Sequence, residues 1–147
     1  MWHKLLRTNN SASLAIVRVM LGIVMFPHGA QKMLGWFGGH GFSATMHGFT
    51  SAGIPAPLAF LAIAAEFFGG LGLIVGFLSR VAGFGILCTM LVAMFKVNLK
   101  FGFFMNWTGT KHAEGFEFHL LAIAMALAVV IAGAGAASID RPISRAR

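Results

Sequence analysis

Four apolar stretches, divided by polar or glycine- and proline-containing breaks, organise the chain. The first reads from about Ser13 to Leu34, opened by the polar run Thr8, Asn9, Asn10 and Ser11, which can supply a helix cap. The second runs from about Ala56 to Leu78, entered through Pro55 and Pro57 and closed by Ser79 and Arg80. The third, about Val81 to Val97, follows so closely that only an antiparallel hairpin can join the two. The fourth, about Phe116 to Ala137, stops before Asp140, Arg141 and Pro142. As helices rising about 1.5 Å per residue, such segments match a hydrocarbon core about 30 Å thick. The pattern predicts an all-α integral membrane protein, a four-transmembrane-helix bundle forming a single domain over residues 1–147. A short interfacial helix is expected over Phe42–Ala52, in the loop after the first span.

Composition agrees and narrows the functions. Of 147 residues, 58% are hydrophobic and 10% charged, too apolar for a soluble domain of this size. No polar stretch is long enough to bury a core of its own, so a large substrate would fall to a partner protein. The net charge of +7 is scattered and sits beside helix ends, which points to membrane topology and not to nucleic acid. Placing the N-terminus inside puts Lys4, Arg7, Arg80, Arg141, Arg145 and Arg147 in the cytoplasm against Lys96, Lys100 and Lys111 outside. Both termini are therefore expected to be cytoplasmic. The outer loops carry Trp36, Phe37, Phe42, Phe49, Phe101, Phe103, Phe104 and Trp107, residue types that prefer the membrane interface. Lys4 and Arg7 before the first span could open a signal peptide, but the run continues through Pro27, His28 and Gln31 without a small-residue cleavage site, and a retained span is expected. The single cysteine, Cys88, excludes dithiol chemistry within one chain.

Against this background, charged groups at bilayer depth stand out. Arg18 falls about one turn into the first span and Glu66 near the middle of the second. Each costs several kcal/mol in lipid, on the order of the roughly 3 kcal/mol of insertion scales, so both should face the bundle interior. If the two antiparallel helices share their ends, the two groups differ in depth by about 5 Å and should meet. Such a pair either fixes helix register or serves a small polar ligand. On a helical wheel Arg18, Gly22, Met25, Gly29 and Lys32 form one stripe, with His28 at its margin. Glu66, Gly70, Leu73 and Phe77 form a second, and Glu117, Leu121, Ala124, Ala128 and Gly135 a third. Nearer the outer face His28, Lys32, Glu117 and His119 should share a layer, with His112 and Glu114 just above. A histidine beside a carboxylate there suits proton exchange, whereas a solvated helix end with a snorkelling Lys32 needs no function. His40 and His47 read as interfacial histidines, and no metal site is expected. Gly69, Gly70, Gly72, Gly76, Gly83 and Gly85 read as close helix contacts, since no strand precedes them to make a nucleotide loop.

The order Arg18, Gly22, His28, Gly29, Lys32, Glu66, Gly69, Gly70, Gly76 and Arg80 resembles the DoxX family. So do GFFMNW at Gly102–Trp107, EGFEFHLL at Glu114–Leu121 and the terminal GAGAASIDR ending at Arg141, so that the likeness spans about Leu14 to Arg141. The resemblance implies a four-helix protein of the bacterial inner membrane. Two roles are known in the family: the membrane subunit of an archaeal thiosulfate to quinone oxidoreductase, and a mycobacterial membrane complex with superoxide dismutase and a sulfurtransferase. Nothing in these residues specifies thiosulfate.

Together these readings favour a membrane subunit of an oxidoreductase that binds a quinone head group through Arg18, His28, Lys32, Glu66, Glu117 and His119, in contact with lipid and with a redox protein partner. A homo-oligomer is compatible with this. Alternatives are a small proton-coupled transporter using Glu66, a structural scaffold without chemistry, and a b-type haem protein using His28 and His119, for which no further residue speaks. The pocket should lie between the first, second and fourth spans and open toward the outer leaflet.

Overall fold

The computed structural model describes residues 6–110 and 112–145. Among them are six α-helices: α1 (Ala12–Leu34), α2 (Gly41–Ser51), α3 (Ala56–Val75), α4 (Ser79–Ala93), α5 (Glu117–Ala132) and α6 (Asp140–Arg145). A π-helical segment, Met94–Asn98, and a 3-10 turn, Leu99–Phe101, prolong α4. No strand occurs among the described residues. Helices α1, α3, α4 and α5 pack in a ring of antiparallel neighbours, with the short α2 resting against α1 and α3. The chain is a multi-pass helical membrane protein. Its outer surface carries Ile16, Phe68, Phe84, Phe95 and Ile131, all exposed, which in a bilayer is the lipid contact. The lone Cys88 is also exposed.

Each element begins and ends for a local reason. Ser11 caps α1 by accepting from Leu14 N at 3.3 Å, and Gly35, in the left-handed region at φ 75°, ends it. Pro55 and Pro57 open α3, where the missing N–H groups would be unpaired anyway. The core inside the ring is Leu21, Met25, Leu73, Ile86, Met90, Ala122, Ala126 and Val129.

The termini end of the bundle is held by side chains that satisfy helix ends. In lipid the last carbonyls of a helix have no water to turn to. The Arg18 guanidinium supplies this need for α3, donating from Nη1 to Leu73 O and, at 2.9 Å, to Ile74 O. Its other donors reach Ala134 O at 2.8 Å, Ala137 O at 3.0 Å and Ala136 O at 3.4 Å. Arg80 does the same for α5, donating to Val130 O and to Ile131 O at 2.9 Å, and adds the carbonyl of Arg7 at 3.0 and 3.2 Å. Asp140 serves the opposite polarity. Its carboxylate accepts from Leu78 N at 2.7 Å and Ser79 N at 2.9 Å, at the N-terminus of α4, where the helix dipole favours negative charge. Leu78 sits there at φ 49°, a conformation that costs about 1–2 kcal/mol for a non-glycine residue and that these bonds help to hold.

Four expectations change. The second span ends at Val75 because Gly76 takes φ 74°, so Phe77 lies beyond it and is exposed. The third span starts at Ser79 and runs on to Phe101. The fourth helix stops at Ala132, after 16 residues or about 24 Å, because Gly133 and Gly135 take φ 91° and 75°. Residues 133–139 then form a strap across the helix ends, tied to the N-terminal segment by Gly135 N on Thr8 Oγ1 at 2.7 Å and Ala136 N on Ser11 O at 2.9 Å. Finally α5 is rotated from the stripe read in the sequence: His119, Ala122, Ala126 and Val129 are buried, whereas Leu121 is 67% exposed. The described N-terminal segment and α6 both lie at this end, and α2, Gly41–Ser51, matches the short helix expected over Phe42–Ala52. Of the basic residues in the charge count, Lys4, Lys111 and Arg147 lie outside the described residues.

Replacing Arg18 by Lys tests the capping role, because an ammonium is a compact charge that cannot fan over five carbonyls. With hydrogen bonds to charged groups worth about 1.5–3 kcal/mol each, Arg18→Lys should lower stability by about 2–4 kcal/mol, read as thermal unfolding in detergent. An unchanged melting temperature would contradict it.

Candidate functional site

The opposite end of the bundle, which carries the two long loops, holds the unusual chemistry. Here α1 and α3 pack backbone to backbone at Gly29. A Cβ on that residue would lie 2.3 Å from Phe67 N and 2.6 Å from the Glu66 carbonyl carbon, so only glycine allows the contact. Lys32 follows one turn later on the same face, and its Nζ forms an ion pair with Glu66 Oε2. The Glu66 side chain is 4% exposed and that of Lys32 26%, so the carboxylate lies inside and the ammonium reaches down to it from the rim. Lys32 Nζ also lies 3.5 Å from the His28 carbonyl.

Two histidines complete the cluster. His28 stands on α1, one turn before Lys32, and is exposed, whereas His119, on α5, is buried. The ring of Phe118 stands against both, with centroids 6.0 Å from His28 and 5.7 Å from His119. His119 is nine-tenths buried and its Nδ1 has no hydrogen-bond partner. A buried polar nitrogen without a partner costs about 1–3 kcal/mol, which sets this one apart from the bonded groups around it.

Arg18 and Glu66, expected to meet, do not. The expectation assumed that α1 and α3 share their ends, but Arg18 is level with the last turn of α3, on Leu73 and Ile74. The first turn and a half of α1 runs past α3 and packs on the strap, where a Cβ on Gly135 would meet Ala15 N at 2.7 Å. Lys32, 14 residues or about 21 Å further along α1, is the partner of Glu66 instead. Glu117 also serves another purpose. Its Oε1 accepts from Met105 N at 2.8 Å and from Trp107 Nε1 at 3.1 Å, clamping the loop before α5. Glu114 does likewise for Asn106 N at 2.5 Å. His40, His47 and His112 are exposed. Of the six candidate residues, the structure pairs Lys32 with Glu66 between α1 and α3, buries His119 on α5, and leaves His28 exposed on α1 against the ring of Phe118. It places Arg18 at the far end and turns Glu117 toward the loop.

Asp140 and Arg80 are the polar residues whose roles escaped the sequence. Asp140 is 1% exposed, and its one advance sign was an isolated carboxylate beyond a glycine-alanine run, with the bare N-terminus of the third span to receive it. Among the described residues no group of three histidine, cysteine or carboxylate side chains is placed to hold a metal ion.

The model of the DoxX family matches residues 13–99. The chain belongs to the DoxX family. Within the DoxX match fall Arg18, His28, Lys32 and Glu66, while Glu117 and His119 lie beyond it. The chain is also similar to a protein of Bacillus subtilis (strain 168) named "Putative oxidoreductase CatD", 32% identical over 91 residues, which are 62% of this chain and 63% of that protein. It thus spans less than two thirds of the relative's length. No solved structure matches the chain.

The Lys32 and Glu66 pair carries a test of its own. Lys32→Met leaves a carboxylate buried without its cation and should cost about 3 kcal/mol. Lys32→Met combined with Glu66→Leu should recover to within about 1 kcal/mol of the native protein, because an apolar pair of similar size needs no compensation. Unfolding in detergent reads both, and equal stability of the single variant and the native protein would contradict the pairing.

Proposed function

We propose that the chain is the membrane subunit of an oxidoreductase system and that the cluster of His28, Lys32, Glu66 and His119 binds the head group of a quinone. The observation that carries this reading is the buried, unpartnered Nδ1 of His119 on α5, the helix packed against α1, whose Lys32 forms the partly buried pair with Glu66. A quinone presents two carbonyl oxygens on an apolar ring, which need donors and a protonable neighbour in a site otherwise lined by hydrocarbon. The four side chains supply these. His119 Nδ1, in its protonated tautomer, donates to one carbonyl, Lys32 supplies a positive charge where charge develops on reduction, and Glu66 and His28 hold or release protons. Reduction of a quinone takes two electrons and two protons. In this reading the electrons come from a partner protein; the Bacillus relative is named as an oxidoreductase. Both termini are read as cytoplasmic in a bacterial inner membrane, which puts the cluster near the outer leaflet.

Binding of tailless ubiquinone to the purified protein in mild detergent tests the reading. His119→Phe keeps the ring volume but removes the nitrogen, and should weaken binding at least tenfold, about 1.4 kcal/mol. Glu66→Gln should weaken binding as well, because it removes the carboxylate that holds Lys32 in place. Native affinity in both variants, with folding intact, would make the buried groups structural and the chain a scaffold.

A further inference from the structure

On the lipid side of the cluster, the loop before α5 arches over the start of that helix and leaves a groove of about 560 Å³. Its walls are Phe103, Met105, Trp107, Phe118, Leu120 and Leu121, with Glu117 the one charged side chain among them. That volume lies within the roughly 300–1,000 Å³ of pockets that enclose small ligands. The groove offers little to a polar guest, since the Glu117 carboxylate is already engaged by Met105 N and Trp107 Nε1 of the same loop. None of the four cluster side chains lines it, but the two share a neighbour. Phe118, one of its walls, is the same ring that stands against His28 and His119. The apolar groove and the two histidines therefore meet at one aromatic ring.

We propose that this groove holds the hydrocarbon tail of the molecule whose head group occupies the cluster, so that the ligand is a membrane-resident, tailed quinone and not a small water-soluble redox molecule. The inference rests on the head-group reading above. A guest lying in lipid approaches from the side of α5, lays its tail along Leu120 and Leu121 under the loop clamped by Glu117, and passes its ring beside Phe118. Trp107, 85% exposed, stands at the margin of the groove.

The test compares tailless ubiquinone with its decyl derivative, bound to the full chain in nanodiscs of one phosphatidylcholine. The ratio of the two dissociation constants in the native protein is set against that in Leu121→Trp, which fills the groove from a position that faces lipid. Partition of the tailed quinone into the bilayer is the same for both proteins and cancels between them. The ratio should fall at least tenfold in Leu121→Trp. An unchanged ratio, with both quinones bound, overturns the tail groove and leaves the head-group site standing, whereas no binding of either quinone to the native protein overturns both. Should Leu121→Trp fail to fold, a decylubiquinone analogue with a photoreactive tail end decides the matter in the native protein. Labels confined to residues 103–107 and 117–121 support the groove, and labels spread over Phe68, Phe84 and Ile131 overturn it.

Discussion

Backbone groups at a helix end inside a membrane must find partners within the protein, and the rest of this structure depends on how that need is met. Arg18 fans over the last carbonyls of α3 and over the strap, Arg80 over those of α5, and Asp140 receives the first N–H groups of α4. Each is a charge placed where a helix dipole presents the opposite sign. Because these contacts join α1 to α3, α4 to α6 and α5 to the N-terminal segment, they fix the longitudinal offset of the helices. That offset in turn sets which residues of α1 and α3 lie side by side.

The consequence appears about 20 Å away, by helical rise, at the other end of the bundle. With Arg18 anchored to the last turn of α3, Gly29 falls against Phe67 and Lys32 falls on Glu66. Had the helices started level, Arg18 would have faced Glu66, and the loop end would hold a lone Lys32 free to reach water. The arrangement divides the charges by task. Three of them close the termini end with every bond directed at backbone, Glu114 and Glu117 hold the loop before α5, and Lys32 and Glu66 pair at the loop end, where His119 keeps a nitrogen open.

Much of the fold was legible in the sequence. Four apolar segments bounded by proline, glycine and polar caps gave the bundle and the antiparallel hairpin, and the wheel of α1 gave its buried face at Arg18, Gly22, Met25 and Gly29. What escaped has physical causes. Periodicity reports rotation and not translation, so the offset of α1 against α3 was invisible and Arg18 was matched to the wrong carboxylate. Helix α5 is apolar on all sides beyond its first turn, and the stripe was anchored on Glu117, which the loop had recruited, and not on His119, which is buried. The strap reads as apolar as a helix until the positive φ angles of Gly133 and Gly135 are seen. The grouping of His28, Lys32 and His119 near one end followed from counting residues, whereas the open Nδ1 of His119 needed coordinates.

The central claim is that the buried carboxylate of Glu66 takes part when a quinone bound at the loop end is reduced. Infrared difference spectra, reduced minus oxidised, of the protein carrying decylubiquinone report on it most directly. The expected result is a carboxyl band that changes together with the quinone carbonyl bands and is missing in Glu66→Gln. Quinone bands that change with no carboxyl signal dependent on Glu66 would contradict it.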